Sequence, residues 1–156
     1  MRMGKLSGIR VVDLSLFLPG PMLTLMMADQ GAQVTKVEPP TGDPARTMEP
    51  MEGGESVWFN NLNRGKDCRR LDLKTDEGQA ALWLLIDDAD VLVEGFRPGV
   101  MARLGFDYSA VAARNPGIVY CSVSAFGQTG AMALHPAHDL AVQAHAGFLS
   151  VNDGRD

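Results

Sequence analysis

Residues 9–38, IRVVDLSLFLPGPMLTLMMADQGAQVTKVE, contain the pattern that decides the fold. A short apolar run with β-branched members comes first, and a helical stretch follows from Pro19 until Gly31 interrupts it. Gln33–Glu38 then alternates in the manner of a second strand. On this alternation, one side of the strand carries Val34, Lys36 and Glu38. Two strands that flank a helix form a βαβ unit, which makes a right-handed crossover in a parallel sheet.

Similar steps follow downstream. Cys68–Leu73 could form a strand, and Thr75 can cap a helix whose first turn holds the acidic Asp76 and Glu77. A fully apolar strand begins at Val91. Further expected elements are a short helix with Pro98 in its first turn, a helix at Tyr108–Arg114, a strand at Ile118–Ser124 and a helix over Asp139–Leu149. The sequence therefore predicts an α/β fold with a Rossmann-like, mostly parallel sheet and flanking helices.

Residues 39–54 interrupt this alternation with several prolines and glycines. The pattern indicates a long irregular segment, which exceeds the usual connection in a compact domain. Loops of that length are usually functional or disordered.

Composition excludes several classes of protein. The chain has 156 residues, 46% hydrophobic and 21% charged, with a net charge of −5, which is typical of one soluble globular domain. Acidic charge argues against nucleic-acid binding. Cys68 and Cys121 have no C-x-x-C spacing, so we expect reduced thiols and no metal site. The first residues lack a secretory signal and no apolar run could span a bilayer, so we expect a cytoplasmic protein without a membrane partner.

Ligands of such sheets bind beyond the carboxyl ends of the strands. The expected strands end at Leu14, Glu38, Glu94 and Ser124. We therefore expect one crevice there, lined by the loop after Glu38 and by Phe17, Pro19, Arg97 and Phe126.

Three segments could carry chemistry. In EGFRPG at 94–99, a helix start with Arg97 and the nearby Arg103 could bind phosphate, or the segment is a surface turn. The basic run is either a ligand site or a solvated face, and it comprises Arg64, Lys66, Arg69, Arg70 and Lys74. His138 beside Asp139 could act as a general base, or it is a structural histidine next to a plain N-cap.

Phosphate-loop and dinucleotide motifs are missing from the sequence, since it contains neither G-x-x-x-x-G-K-[ST] nor G-x-G-x-x-G after the first strand. Nucleotide hydrolysis and ordinary dinucleotide redox chemistry are therefore disfavoured.

Five segments together resemble the family III CoA-transferases, which include the α-methylacyl-CoA racemases. They are LSGIRVVDLS at 6–15, GAQVTKVEPPTGDPAR at 31–46, NRGKDCRRLDLKTDEG at 63–78, ADVLVEGFRPGVMARLGFDY at 89–108 and NPGIVYCSVSAFGQTG at 115–130. The resemblance covers nearly the whole chain in order, and EGFRPGVMxRLG with SxFGQTG is its most specific part.

The resemblance implies a two-domain subunit in an interlocked homodimer. We expect residues 1–156 to be the N-terminal part of its CoA-binding large domain, without the small domain and the C-terminal return of the large domain. CoA or acyl-CoA would be a substrate, with no permanently bound cofactor, and a free carboxylic acid would be the other substrate. The matching CoA contacts are Phe17, Leu18, Leu71, Lys74, Gly95, Phe96, Arg97, Arg103 and Leu104.

The resemblance also implies a mechanism in which an aspartate attacks the thioester and passes through an anhydride and an aspartyl-CoA thioester. That aspartate is expected beyond this chain, because the context of Asp153 and Asp156 matches the loop before it. We therefore expect this fragment alone to be inactive. His138 and Asp139 would support catalysis as acid–base groups.

Two alternatives to a transferase stay open. One is an α-methylacyl-CoA racemase or epimerase that uses His138 to exchange an α-proton. The other is a non-catalytic, truncated CoA-binding fragment, which should expose apolar patches. We favour the transferase.

Overall fold

The computed structural model describes residues 4–149, and these fall into two units that divide after Val123. The strands among these residues are β1 (Arg10–Leu14), β2 (Gln33–Glu38), β3 (Met51–Glu52), β4 (Glu55–Ser56), β5 (Asp67–Arg70), β6 (Val91–Glu94) and β7 (Val119–Ser122). The helices are α1 (Pro19–Asp29), α2 (Val57–Asn63), α3 (Asp76–Asp87), α4 (Val100–Leu104), α5 (Tyr108–Arg114) and α6 (Asp139–His145), with a 3-10 helix at Pro44–Thr47.

A parallel sheet of five strands forms the centre of the first unit, in the order β5-β2-β1-β6-β7. In the register, Leu14 lies opposite Glu94, and Glu94 lies opposite Ser122, so the carboxyl ends are level. From β1 the chain adds β2 and β5 on one side of the sheet, and it later adds β6 and β7 on the other side. The order of strands therefore reverses between β1 and β6. This is the topological switch point, where α/β sheets bind their ligands. The predicted fold class is confirmed.

Apolar side chains cover both faces of the sheet. On one face Leu14 and Leu92 pack with Leu82 and Ile86 of α3, and on the other Val11 and Val93 pack with the α1 side. Because both faces are covered, strands in the middle of the sheet are buried on both sides. The packed sheet therefore gives rigid support to the loops at its ends.

Local chemistry explains the helix starts. The Thr75 hydroxyl accepts a hydrogen bond from the Gly78 amide at 3.1 Å, as predicted for the start of α3. A Cβ on Gly78 would lie 1.9 Å from the Asp72 carbonyl oxygen, so this close approach requires glycine. The Asp107 carboxylate caps α5 in the same way. Together these caps confirm α3 and α5 where the sequence placed their starts.

Three predicted boundaries are wrong. The strand expected at 68–73 ends at Arg70, because Asp72 turns the chain by accepting the Lys74 amide on its side chain. Pro98 is not in the first turn of α4, because Gly99 follows it with φ 85° and the helix begins at Val100. The last strand is confined to Val119–Ser122.

The segment expected to be irregular at 39–54 is also different from the prediction. It contains the 3-10 helix and β3, which pairs with β4 just after the segment, and α2 follows β4. The Ser56 hydroxyl accepts the Phe59 amide at the start of α2 and donates to the Met48 carbonyl at 2.7 Å. Side-chain bonds to the backbone thus give this segment a defined path.

The second unit consists, in its described part, of residues 124–149 with the single helix α6. None of these residues is buried. Leu134, Leu140 and Phe148 are 74%, 68% and 66% exposed. Burial of apolar side chains within residues 124–149 therefore contributes little to holding this unit together.

Candidate functional site

The loops after β1 and β6 meet at the switch point. A Cβ on Gly95 would lie 3.4 Å from the Ser15 Cβ, which leaves ordinary contact distance between the two loops. Gly20, in the first turn of α1, is closer still, since its Cβ would lie 2.1 Å from the Ser15 hydroxyl. Gly20 and Gly95 therefore both approach Ser15 closely at the centre of this edge.

Phe17 has an unusual backbone at this place. Its φ is 62°, the left-handed region that bulky residues rarely adopt, and its side chain is 45% exposed. Leu18, beside it, is 38% exposed. Strained residues persist where the surrounding structure holds them, and they concentrate at ligand sites. An exposed aromatic ring in a strained turn at the switch point marks this loop as a candidate contact for the apolar part of a ligand.

Cations without an acidic partner collect at the same edge. Within residues 4–149, four cationic side chains at the end of β5 or after β5 and β6 have no hydrogen bond or ion pair: Arg70, Lys74, Arg97 and Arg103. All four are exposed. Strands β5 and β6 are separated in the sheet by β2 and β1, which corresponds to roughly 14 Å at ordinary strand spacing. The arrangement suits an extended ligand with more than one negative charge.

Helix N-termini contribute less than the sequence suggested. α1 begins at the carboxyl edge of the sheet, but Pro19 and Pro21 have no N–H to donate. α4 has only five residues and begins two residues after Pro98, so the expected anion site at a helix start in 94–99 lacks a full helix behind it. Anion binding here therefore depends on the side chains of Arg97 and Arg103.

The basic run at 64–74 separates into different roles. Lys66 is neither a solvated residue nor a ligand site: its side chain is fully buried, and its ammonium lies 3.3 Å from the Asp13 carboxylate and donates to Thr24 at 2.8 Å. Arg64 and Arg69 pair with Asp29 and Asp67 on the surface. Arg70 and Lys74 are the members of this run whose side chains remain without a partner among the described residues.

Buried charges on β1 and β2 are the main feature that sequence reasoning missed. Lys36 and Glu38 are 0% and 1% exposed, so the predicted alternation of β2 does not separate a polar face from an apolar one. Glu38 receives two hydrogen bonds of 2.7 Å from Arg46, whose guanidinium lies 3.8 Å from the ring centre of Phe59. This pair ties the loop after β2 back to its own strand.

Burial affects the pKa values of three side chains in this region. Burial alone would raise the pKa of the Glu38 carboxyl, but hydrogen bonds from Arg46 and from the Asp43 amide outweigh it, so that pKa lies below its usual value. Burial lowers the pKa of Lys66 despite the opposing charge of Asp13. The Cys68 thiol has a raised pKa through burial and the neighbouring Glu38. Cys68 and Cys121 are both free thiols.

Every predicted CoA contact follows the carboxyl end of a strand along the chain. Phe17 and Leu18 follow β1, Leu71 and Lys74 follow β5, and the rest follow β6, namely Gly95, Phe96, Arg97, Arg103 and Leu104. The group divides by burial. Leu71, Phe96 and Leu104 are half-buried and pack against the apolar core, whereas the others are exposed.

His138 and Asp139 lie in the second unit, at the start of α6. His138 occupies the N-cap position without a side-chain cap bond, and Asp139 follows as the first helical residue, so the expectation of Asp139 as a plain N-cap is wrong. Asp139 accepts a hydrogen bond from Gln143 at 2.5 Å instead of contacting His138. Phe126, expected at the crevice, packs edge-to-face with His145 within this unit. Asp153 and Asp156 lie outside the described residues.

Two other kinds of site are not seen in the described part of the chain. No three side chains of His, Cys, Asp or Glu come together at positions 4–149 in a way that could hold a metal ion. No helix in that range is long and apolar enough to cross a membrane.

Comparison with known proteins identifies the family. The family model for CoA-transferase family III matches residues 6–156. The chain is 48% identical over 148 residues to an acetyl-CoA:oxalate CoA-transferase of Acetobacter aceti, covering 94% of this chain and 38% of the relative. It is 40% identical over 159 residues to a succinate–glutarate CoA-transferase of Agrobacterium fabrum, covering 97% and 40%.

A solved structure agrees with these relatives. A CAIB/BAIF family protein from Brucella suis superposes with a TM-score of 0.89 at 36% identity, over 94% of this chain and 40% of that protein. This chain thus spans about two fifths of the length of the relatives it matches. The chain belongs to CoA-transferase family III.

Proposed function

We propose that this chain binds the CoA part of an acyl-CoA thioester across the carboxyl edge of its sheet. The observation that carries the proposal is the set of four unpaired cations at the ends of β5 and β6, with the exposed Phe17 and Leu18 after β1, which lies between those strands in the sheet. CoA carries negative charge at two places in its nucleotide part, the ribose 3′-phosphate and the diphosphate, and its pantetheine arm is uncharged. Two separate groups of cations suit the two phosphate sites, and the exposed apolar side chains suit the uncharged arm.

Catalysis is the second part of the proposal. The polypeptide that contains this chain transfers CoA from an acyl-CoA to a free carboxylic acid, as the names of its relatives say of those proteins. An aspartate carboxylate downstream attacks the thioester carbonyl, which forms a mixed anhydride and releases the CoA thiolate. The thiolate then attacks the aspartyl carbonyl, which releases the first acid and leaves an aspartyl-CoA thioester.

The second half of the reaction reverses these bonds on the acceptor. The acceptor carboxylate attacks the aspartyl thioester and again releases the thiolate. The thiolate then attacks the acceptor's carbonyl in the new anhydride, which frees the aspartate. Each step exchanges one acyl bond for another, so no oxidant or metal is needed. Residues 4–149 would hold the CoA thioester in place while these exchanges occur.

Calorimetry with the 156-residue chain tests the binding part. We expect CoA to bind, pantetheine without phosphates to bind much more weakly, and the affinity for CoA to fall with added salt because exposed cations are screened. Equal affinity for CoA and pantetheine would contradict the proposal. The chain alone is expected to give no CoA exchange between acetyl-CoA and a free dicarboxylate, and a polypeptide of the relatives' length is expected to give it.

His138 supports one further candidate activity. Its imidazole makes no hydrogen bond or ion pair with any residue the structure describes. An α-methylacyl-CoA racemase would use such a group to exchange the α-proton of the acyl part. Deuterium uptake at that carbon from heavy water, without an acceptor acid and abolished by His138→Gln, would favour the racemase over the transferase.

A non-catalytic CoA-binding role is the remaining alternative. It is favoured if a polypeptide of the relatives' length binds CoA but neither transfers it nor exchanges the α-proton.

A further inference from the structure

Ser15 is fixed from three sides. It is 1% exposed, and it connects the end of β1 to the strained Phe17 two residues later. Its amide donates to the Asp13 Oδ1 at 2.9 Å, its hydroxyl donates to the same oxygen, and its carbonyl accepts from the Lys36 ammonium at 2.7 Å. Every polar group of Ser15 is thus engaged by a side chain from below the crevice.

Asp13 and Lys36 are buried charges, and both are wholly inaccessible to solvent. The second oxygen of Asp13 accepts from Thr24 at 2.5 Å and from Lys66 at 3.3 Å. Lys36 also lies 3.0 Å from the Asp43 carboxylate. The region therefore contains two buried ion pairs, Asp13–Lys66 and Lys36–Asp43.

Stability is a poor explanation for such pairs. Removing two charges from water costs about as much as their attraction returns, and apolar replacements are often as stable. What these charges do here is geometric: they hold one residue, Ser15, in one orientation. The turn that follows Ser15 carries the exposed Phe17 and Leu18 at the switch point.

We propose that Asp13 and Lys36 are positioning residues that act through Ser15 to hold the Phe17–Leu18 turn in the conformation that contacts the CoA thioester. The inference rests on the proposed function for its ligand and on the buried bonds for its geometry. A left-handed φ at a phenylalanine persists only where its surroundings impose it. Ser15 supplies that constraint, because its amide is held by Asp13 and its carbonyl is held by Lys36.

Two variants test the clamp with little change to the core. Lys36→Met with Asp43→Asn removes the ammonium from the Ser15 carbonyl and keeps the charges balanced, while the asparagine oxygen can still accept the Ala45 amide that Asp43 holds at 2.9 Å. Ser15→Ala removes a single hydroxyl and no charge. Asn115→Ala is the matched control, because its amide bonds two carbonyls, Ile86 and Ala89, at the opposite end of the sheet.

The first readout is the position of Phe17 itself. In protein labelled with 4-fluorophenylalanine, the fluorine resonance of Phe17 is assigned with Phe17→Leu. We expect that resonance to shift or broaden in both clamp variants and to stay unchanged in Asn115→Ala. The second readout is CoA affinity by calorimetry, which we expect to weaken about tenfold or more in the double variant, less in Ser15→Ala, and under about twofold in the control.

Each outcome decides something. An unmoved Phe17 resonance in folded clamp variants overturns the proposal. A shifted resonance with unchanged CoA affinity overturns the link between the clamp and CoA. If the unaltered chain does not bind CoA, the proposed function fails, and the fluorine spectrum still decides whether the clamp holds Phe17. If the double variant does not fold, Ser15→Ala carries both measurements.

Discussion

The two edges of the sheet treat their surface arginines differently. At the amino edge, where strands begin and helices end, three arginines each have an aspartate partner: Arg10 with Asp88, Arg64 with Asp29 and Arg114 with Asp87. At the carboxyl edge, Arg46 pairs with Glu38, whereas Arg70, Arg97 and Arg103 have no acidic partner among residues 4–149. Lys5 is the amino-edge cation without a partner there. Cations with an internal acid serve the fold, and cations without one are available to a ligand.

The largest expected effect breaks this comparison at the carboxyl edge. Arg97→Ala with Arg103→Ala removes two guanidinium groups that we propose to bind phosphate. A charge-assisted hydrogen bond contributes about 1.5–3 kcal/mol, so CoA affinity should fall by about 100-fold or more. Calorimetry measures it. The matched pair Arg10→Ala with Arg64→Ala removes the same charge from the amino edge and should leave the affinity almost unchanged. Equal losses in both pairs would mean that total charge, and not position, attracts CoA.

A second prediction separates buried from exposed cations within the basic run at 64–74. Lys66→Met leaves Asp13 buried without its ion-pair partner, which should lower the free energy of unfolding by about 3–5 kcal/mol. Lys74→Met, on an exposed side chain nearby, should leave it almost unchanged. Urea unfolding of the two variants gives the difference. Similar stability of both variants would contradict the assignment of Lys66 to the fold.

A third prediction concerns pH. Glu38 has a folded-state pKa below its usual 4.5, so between the two values the unfolded chain binds more protons than the folded one. The stability that Glu38 contributes is therefore present above pH 4.5 and is lost as the pH falls through the folded-state pKa. Glu38→Gln should reduce this slope in urea midpoints measured across that window.

Salt should distinguish the Glu38–Arg46 pair, whose carboxylate is buried, from the exposed Asp87–Arg114 pair. Asp87, whose pKa is lowered by Arg114, lies at the surface, so its contribution should weaken at high salt while that of Glu38 persists. A Glu38 slope that disappears in salt would place the Glu38–Arg46 pair in solvent.

The smallest effect is expected at the amino edge. Arg10→Ala removes an ion pair whose side chains are 54% and 76% exposed, and such pairs contribute roughly 0–1 kcal/mol. Urea unfolding should show little or no change. A loss as large as that of Lys66→Met would mean that the amino-edge pairs hold the fold together after all.

Local sequence was sufficient for most of the scaffold. The alternation of strands and helices gave β2, α5 and the starts of α1, α3 and α6 at their observed residues, because capping and periodicity depend on neighbours within a turn. Boundaries failed where one residue redirected the chain, as Asp72 and Gly99 do. The α2 helix, which follows the long segment, was not predicted, because its seven residues are too few to show a helical periodicity.

Describing the candidate site required both the sequence and the tertiary structure. Sequence and resemblance determined which residues follow the carboxyl ends of the strands, and the structure places them there because parallel strands align their ends. Only the tertiary structure decided which charges are buried. Lys66 and Asp13 are 53 positions apart, and Lys36 meets the Ser15 carbonyl from 21 positions away. A charge is stable inside a protein only beside a partner, and contacts between distant segments exist only once the sheet has formed.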